Sequence, residues 1–344
     1  MELKVLIAGI SGASLGTEIL KCLKLARDYT IYGADISPYA YGLYQNEFEK
    51  TFTVSSGSYI SDILSIVQSY NIAVIIPGGE EPLSLLMANK HIFDEYNIRL
   101  AINDPATISV CQNKLKTFEF LQKHHIAIPR TERLVGTAQL ASFDYPCIIK
   151  PSTDSGGSVF VSFAETEEEA ISHYKHLKKI GISEIIIQEY ISHQDGEFTV
   201  GVLSSPEGEI IDTVGLKKVF GCKMSYKEKS EKSIISSGYS QGLIDNFPEI
   251  HKQAEKISQT LQSKGPLNIQ GRIKNSVFHP FEINCRFSAS SYLRAMAGVN
   301  DIDIFIKSML NLPYEPSPKK YGYYFRTLHE QFVPKNRIKE WSNG

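Results

Sequence analysis

The sequence predicts an α/β first part built on a parallel sheet, followed by an α+β remainder. Two observations carry this. Short apolar runs alternate with helical periodicity over the first part of the chain, and long strand-like segments with few helices fill the second. The runs are Leu3 to Ala8, Thr30 to Ala34, Ala73 to Ile76 and Leu100 to Ile102, with a helical stretch from Ser14 to Leu25. Such βαβ alternation implies parallel strands with helices on both faces. Ligands on these sheets bind at the carboxyl ends of the strands. The loops Gly9 to Gly16, Asp35 to Ser37 and Pro77 to Pro82 are therefore the candidate loops.

The loop Gly9-Ile10-Ser11-Gly12-Ala13-Ser14-Leu15-Gly16, with Asp35 downstream, invites a dinucleotide reading. Its spacing is not GxGxxG, however, and a tight strand-to-helix turn accounts for it equally simply.

After Pro105 the pattern changes. Asn113 to Lys123 reads as an amphipathic helix with Leu115, Phe118 and Leu121 on one face, and Ile126 to Pro129 leads into a strand. Strands are expected at Tyr145 to Lys150, Val159 to Phe163 and Glu184 to Ile191. The helix Thr166 to Lys178 places acids at its start and lysines at its end, as its dipole prefers. From about Gly196 onward the chain reads as an antiparallel sheet with one helix near Glu249 to Gln262 and a loosely held polar tail after Pro334.

Composition removes several function classes. The chain has 344 residues, 42% hydrophobic and 22% charged, with a net charge of −2. Neither nucleic acid nor a membrane surface is expected as a partner. The five cysteines, Cys22, Cys111, Cys147, Cys222 and Cys285, form neither a CxxC pair nor a disulfide-like framework. Together with the absence of a signal-peptide pattern or a long apolar run, this fits a cytoplasmic protein.

Three segments carry chemistry. In Phe281-Glu282-Ile283-Asn284-Cys285-Arg286, strand alternation sends Glu282, Asn284 and Arg286 one way and Phe281, Ile283 and Cys285 into the core. A carboxylate, an amide and a guanidinium then lie within about 14 Å on one face. Mg²⁺ takes carboxylate and carbonyl oxygens and completes its shell with phosphate, and arginine suits a phosphate in transfer. The strand Leu267 to Ile273 adds Asn268, Gln270 and Arg272. A turn at Asn275-Ser276 would bring Gln270 and Glu282 onto the same face. In the second segment, Lys150 ends an apolar strand and is followed by the small-residue loop Ser155-Gly156-Gly157-Ser158, suited to approach phosphates. In the third, Gln188-Glu189-Tyr190-Ile191 leaves a strand as a linker, and Glu197 follows.

With Lys114 at the start of the ordered set, these segments resemble the ATP-grasp superfamily over about residues 1–315. The likeness is to half of a carbamoyl-phosphate synthase large subunit, to biotin carboxylases and to related carboxylate–amine ligases. The resemblance implies a Rossmann-like N-terminal (pre-ATP-grasp) domain over 1–108 followed by a two-lobed ATP-grasp fold. Its lobes would be a lid subdomain over 109–192 and a C-terminal subdomain with the metal site over 193–330, with 331–344 as a tail. It further implies ATP and Mg²⁺ as cofactors, with Mn²⁺ as an alternative metal. Lys114, Lys150 and the Ser155 to Ser158 loop would meet the phosphates. The Gln188, Glu189 and Ile191 hinge would meet adenine, and Glu197 the ribose. Gln270, Glu282 and Asn284 would ligate the metal, and Arg286, with Lys150, would serve catalysis. Gln270 stands where many relatives have a carboxylate, and the glycine loop is short.

The implied activity is ATP-dependent ligation of a small-molecule carboxylate to an amine through an acyl phosphate, releasing ADP and phosphate. Homodimer formation is one admissible assembly. Glu80 is a candidate for a cationic amine group. Ser288 and Arg294 are candidates for a substrate carboxylate, and Lys217, Lys218 and Lys223 lie in what reads as a polar loop. His124 and His125 read as surface residues. The alternatives are activation of bicarbonate, an NAD-dependent oxidoreductase built on the first domain, and a nucleotide-binding regulator without turnover.

Overall fold

A computed structural model describes residues 3–12, 15–153, 160–221, 224, 226–230, 233–327 and 330–338. The loop Ser155 to Ser158, Ser14, Cys222 and Lys223 lie outside the described residues.

Among the described residues the first strands are β1 (Leu3–Ala8), β2 (Tyr29–Asp35), β3 (Lys50–Thr53), β4 (Val74–Pro77) and β5 (Arg99–Leu100). They form a parallel sheet in the order β3, β2, β1, β4, β5. Val5, Leu6, Ile7 and Ala8 of β1 are all fully buried, as expected of a strand covered on both faces. The covers are helices α1 (Leu15–Ala26), α2 (Tyr59–Tyr70), α3 (Glu80–Ala88) and α4 (Lys90–Glu95). Two short helices, α5 (Pro105–Cys111) and α6 (Lys114–Lys123), lead out of this layer.

A small four-stranded sheet follows, in the order β6 (Thr131–Arg133), β9 (Ile185–Glu189), β7 (Cys147–Pro151), β8 (Ser162–Ala164). Helix α7 (Glu167–Lys179) covers it. Its cap is Thr166, whose hydroxyl accepts from the Glu169 N–H at 3.3 Å. This unit has its own core of residues between Leu134 and Ile187. Helix α6 does not share it. Phe118 and Leu121 instead pack in a cluster drawn from both the first sheet and the large sheet.

The large sheet is antiparallel. Its strands are β10 (Glu197–Ser204), β11 (Ile210–Lys218), β14 (Gly242–Ile244), β15 (Pro266–Lys274), β16 (Val277–Asn284) and β17 (Gly322–Tyr324). The order is β16, β15, β10, β11, β14, β17, with a separate hairpin of β12 (Tyr226–Ser230) and β13 (Ser233–Ser236). Helices α8 (Pro248–Thr260), α9 (Ser291–Met296) and α10 (Asp301–Met309) pack against it. No helix among the described residues is long and apolar enough to cross a membrane.

Three expectations are corrected here. Lys217 and Lys218 are not in a loop. They end β11, whose alternation buries Val214, Leu216 and Lys218 together. Phe281 does not enter the core. Gln270 pairs with Glu282 but Gly271 with Pro280, so Phe281 is the extra residue of a bulge, and a bulge re-aims its side chain. The tail is also partly docked, with Val333 and Ile338 packed on the core.

The glycine loop after β1 is filled by its own chain. The Asp35 carboxylate accepts from the Ile10 N–H at 2.7 Å and the Ser37 N–H at 3.0 Å. A Cβ at Gly16 would lie 2.0 Å from the Gly9 carbonyl oxygen, and one at Gly78 only 1.8 Å from it. Those glycines let three backbone segments meet. Replacing Asp35 by Ala should cost stability by about 1–3 kcal/mol, the penalty of orphaned buried donors, read as a shift in the urea midpoint. NAD should leave that midpoint unmoved. Calorimetric NAD binding that is lost in the Asp35→Ala chain would restore the dinucleotide reading.

Candidate active site

Three tethers set the site where the small sheet leans on the large one. Ser152, just beyond β7, holds the start of α6. Its carbonyl accepts from the Lys114 N–H at 2.8 Å and its hydroxyl oxygen from the Leu115 N–H at 3.2 Å. The same hydroxyl donates to the Asn113 side chain at 2.7 Å, and that side chain caps α6. Lys114 and Lys150 are thereby brought to one place from two elements.

Lys150 is the second tether. It is 5% exposed, and its ammonium donates to Gln188 Oε1 at 2.8 Å and to the Phe281 carbonyl at 3.0 Å. The bulge supplies that carbonyl. Burial, and then the charge of Lys114, lowers the Lys150 pKa to about 7, with Glu282 opposing them. Gln188 is fixed in turn by donating to the Thr131 hydroxyl at 2.8 Å.

The third tether went unrecognised in the sequence. Glu197, expected to face a ribose, is fully buried between Arg272, at 2.7 Å, and Lys218, at 3.0 Å. The remaining Arg272 nitrogens donate to the carbonyls of Ile191 and Ile234, both at 2.7 Å. Its guanidinium also stacks on Tyr190, 4.9 Å from the ring centre. Its partners come from the two neighbouring strands: Glu197 and Arg272 are register partners on β10 and β15, and the β11 alternation puts Lys218 inside. Burial would raise the Glu197 pKa, but Lys218 and Arg272 outweigh it and hold the carboxyl at about 2.

Above these tethers lies an apolar slot walled by Ile148, Val161, Tyr190, Ile191, Ile234 and Phe281, with Lys114, Lys150, Gln188, Glu189 and Glu282 among its polar lining residues. A second, more polar pocket lies beside it, lined by Glu80, Glu81, Ser84, Gln112, Lys114, Glu282, Asn284 and Arg286 among others. Lys114 and Glu282 belong to both.

The hairpin face is as the alternation predicts. Asn275 and Ser276, at φ 52° and 63°, make the turn. Gln270 donates to Glu282 at 3.0 Å, Asn284 donates to Glu282 at 3.3 Å, and Lys218 donates to Gln270 Oε1 at 3.0 Å. One carboxylate and two amides do not make a protein-only metal cage. Among the described residues there is no group of three His, Cys, Asp or Glu that could hold a metal. The set does fit a Mg²⁺ ion that brings phosphate and water oxygens with it.

Two expected substrate residues are already committed. Arg294 is 2% exposed and its five N–H donors are spent within the chain. Nε and Nη2 reach Asp301, Nη1 reaches Ser288 and Ser290, and Nη2 also reaches Ser291. Ser288, 4% exposed, belongs to the same network. Both are held inside the chain just beyond β16. Arg286 remains in the outer pocket and meets Glu80 at 2.8 Å. His124 and His125 are exposed.

This cleft lies between a four-stranded sheet and a larger antiparallel sheet, beside a parallel-sheet domain. Residues 182–330 match the family described as ATP-grasp in the biosynthetic pathway with Ter operon. Residues 7–101 match the PylC-like N-terminal domain. The chain therefore carries an ATP-grasp domain behind a PylC-like N-terminal domain. It is 22% identical over 244 residues to the carbamoyl phosphate synthase large chain of Saccharolobus islandicus, a match covering 66% of this chain and 22% of that protein. It is 30% identical over 130 residues to the D-alanine–D-alanine ligase of Thermotoga maritima, covering 37% of this chain and 40% of the ligase. Among solved structures, the biotin carboxylase of Campylobacter jejuni in a β,γ-ATP complex superposes with a TM-score of 0.69 at 17% identity. That superposition covers 91% of this chain and 72% of the other. It is a likeness of fold.

Removing Arg272 would leave Glu197 buried with half its compensation. Arg272→Ala should lower stability by about 3–5 kcal/mol, measured by urea unfolding. The depressed Glu197 pKa gives a second check. Its contribution is present above the ordinary carboxylate value of 4.5 and is lost as pH falls from there through about 2. The acid slope of stability in that window should therefore flatten in Glu197→Gln. An unchanged slope would show that the cluster does not govern acid unfolding.

Proposed function

We propose that this chain is an ATP-dependent carboxylate–amine ligase working through an acyl phosphate. The observation that supports it best is the junction of an apolar slot and a polar pocket at Lys114 and Glu282. A nucleotide in the slot would send its phosphates to the place where the second pocket begins. The similarity to a D-alanine–D-alanine ligase points the same way. We keep the three-part division into 1–108, a lid over 109–192 and a body over 193–330. The separate core of the lid supports it, although α6 packs with the body.

In this reading the adenine lies between Ile148, Val161 and Phe281 and meets the main chain of Glu189 and Ile191. The Ile191 carbonyl is already taken by Arg272, so its N–H is the group that meets the base. Glu197 would turn from Lys218 to reach a ribose hydroxyl, leaving Arg272 as its partner. Lys114 and Lys150 neutralise the phosphates. Gln270, Glu282 and Asn284 would hold Mg²⁺, which when bound supplies charge neutralisation at the β- and γ-phosphates. Arg286 stabilises the transferring phosphoryl group, for which positioning and charge are what the protein must provide. The carboxylate oxygen attacks the γ-phosphorus and ADP leaves. The amine then attacks the acyl carbon and phosphate leaves. Glu80 and Glu81, on the far wall of the outer pocket, suit the cationic end of a substrate. Activation of bicarbonate is a second reading, favoured by the similarity to a carbamoyl phosphate synthase large chain. Bicarbonate-dependent ADP release without any organic acid would select it.

The deciding experiment screens carboxylates and amines for ADP release and then labels the active carboxylate with ¹⁸O. One label should appear in inorganic phosphate. AMP as product, or unlabelled phosphate during productive ligation, overturns the mechanism. Glu282→Ala should abolish turnover while keeping the wild-type melting temperature, since Glu282 is the sole carboxylate of the proposed metal set.

Lys150 predicts a proton. With its pKa lowered to about 7 in the free chain, a bound polyphosphate raises it. ATP binding at pH 8 should therefore take up about one proton, and affinity should weaken as pH rises above about 7. Calorimetry in buffers of different ionisation heat measures this. Lys150→Arg, which cannot lose its proton, should abolish the uptake. Binding with no buffer dependence in the wild type would remove Lys150 from the phosphate site.

A further inference from the structure

We infer that Glu80 is a latch on Arg286: it occupies the guanidinium in the resting chain and competes with the transferring phosphoryl group for it. The inference rests on the nucleotide reading above but concerns a residue that the reading leaves without a role toward phosphate. Glu80 opens α3 in the first domain, and Arg286 follows the metal strand in the large sheet, so the pair spans the outer pocket. Glu80 Oε1 meets Arg286 Nη2 at 2.8 Å, and Nη1 donates to the Phe287 carbonyl at 2.9 Å. The Nε atom is buried and has no hydrogen-bond partner among the described residues.

That orphan atom is the decisive observation. Nε and Nη2 form the side-on fork by which an arginine grips two oxygens of one anion at once. Glu80 uses one tine and leaves the other unmet. An unpaired buried donor is costly, so the resting pair is a poor match for Arg286. A phosphoryl group presents two oxygens at the spacing of the fork and satisfies both. The Glu80 side chain is 47% exposed against 19% for Arg286, so the acid is the partner free to swing away. A carboxylate in that condition holds its cation weakly, enough to park the guanidinium and little enough to yield to a better anion.

The test is a double-mutant cycle on phosphate affinity, with inorganic phosphate titrated calorimetrically into the Mg-ADP complex of the whole chain. Glu80→Gln should tighten phosphate binding by about two- to fivefold, the scale of a half-exposed ion pair. Glu80→Asp, which keeps the charge but shortens its reach, should do the same. In an Arg286→Ala background the Glu80→Gln gain should vanish. The corresponding kinetic readout is hydrolysis of Mg-ATP without other substrates, raised by the same factor in Glu80→Gln. A mere helix-terminal acid would move melting temperature and leave phosphate affinity alone. Unchanged affinity in Glu80→Gln, or the same gain with and without Arg286, overturns the latch. Failure of the wild type to bind Mg-ADP would instead overturn the nucleotide reading beneath it.

Discussion

The contact between Glu197 and Arg272 organises the rest of the site. A fully buried carboxylate persists only with its charge compensated, and here Arg272 and Lys218 provide this from the two neighbouring strands. Arg272 has donors left over. They hold the Ile191 and Ile234 carbonyls, while its plane supports Tyr190. One ion pair thus fixes the hinge, the β12–β13 hairpin and the floor of the slot relative to the large sheet. The network is costly to bury, and its return is geometry rather than net stability.

On that floor another buried cation, Lys150, sits in a different balance. It has neutral acceptors and no carboxylate in contact. Its environment is therefore incomplete without an anion, whereas that of Arg272 is complete. Lys150 and Arg272, which both line the slot, are thus distinguished by their partners: Arg272 meets a carboxylate and Lys150 only neutral acceptors.

Much of this was legible in the sequence, and the failures have physical causes. Period-two alternation located Glu282, Asn284 and Gln270 on one face because a paired hairpin leaves little freedom of register. Alternation failed at Phe281, where an inserted residue breaks the count, and a bulge has no local spacing signature here. The enclosure of Arg294 by Asp301 and three serines, all within seven residues of it, arises from the packing of α9 on α10, which the sequence pattern does not announce. Lys218 was misjudged for the opposite reason. Its alternation with Val214 and Leu216 was readable, but adjacent lysines suggest solvent. Glu197 was located by order along the chain, and its burial was not, since the partners that make burial tolerable come from strands distant in sequence.

The seam at Gly9, Gly16 and Gly78 has one more effect. Backbone atoms there are too close for a methyl group, so Gly78, two residues before α3, is packed directly on Gly9. The first domain reaches Arg286 from just beyond that seam, through the Glu80 side chain. Divergence in this part of the pocket would have to proceed in methylene steps at position 80, between Asp, Glu and their amides. Insertion or repositioning of the loop would first have to undo the packing of the sheet that carries it.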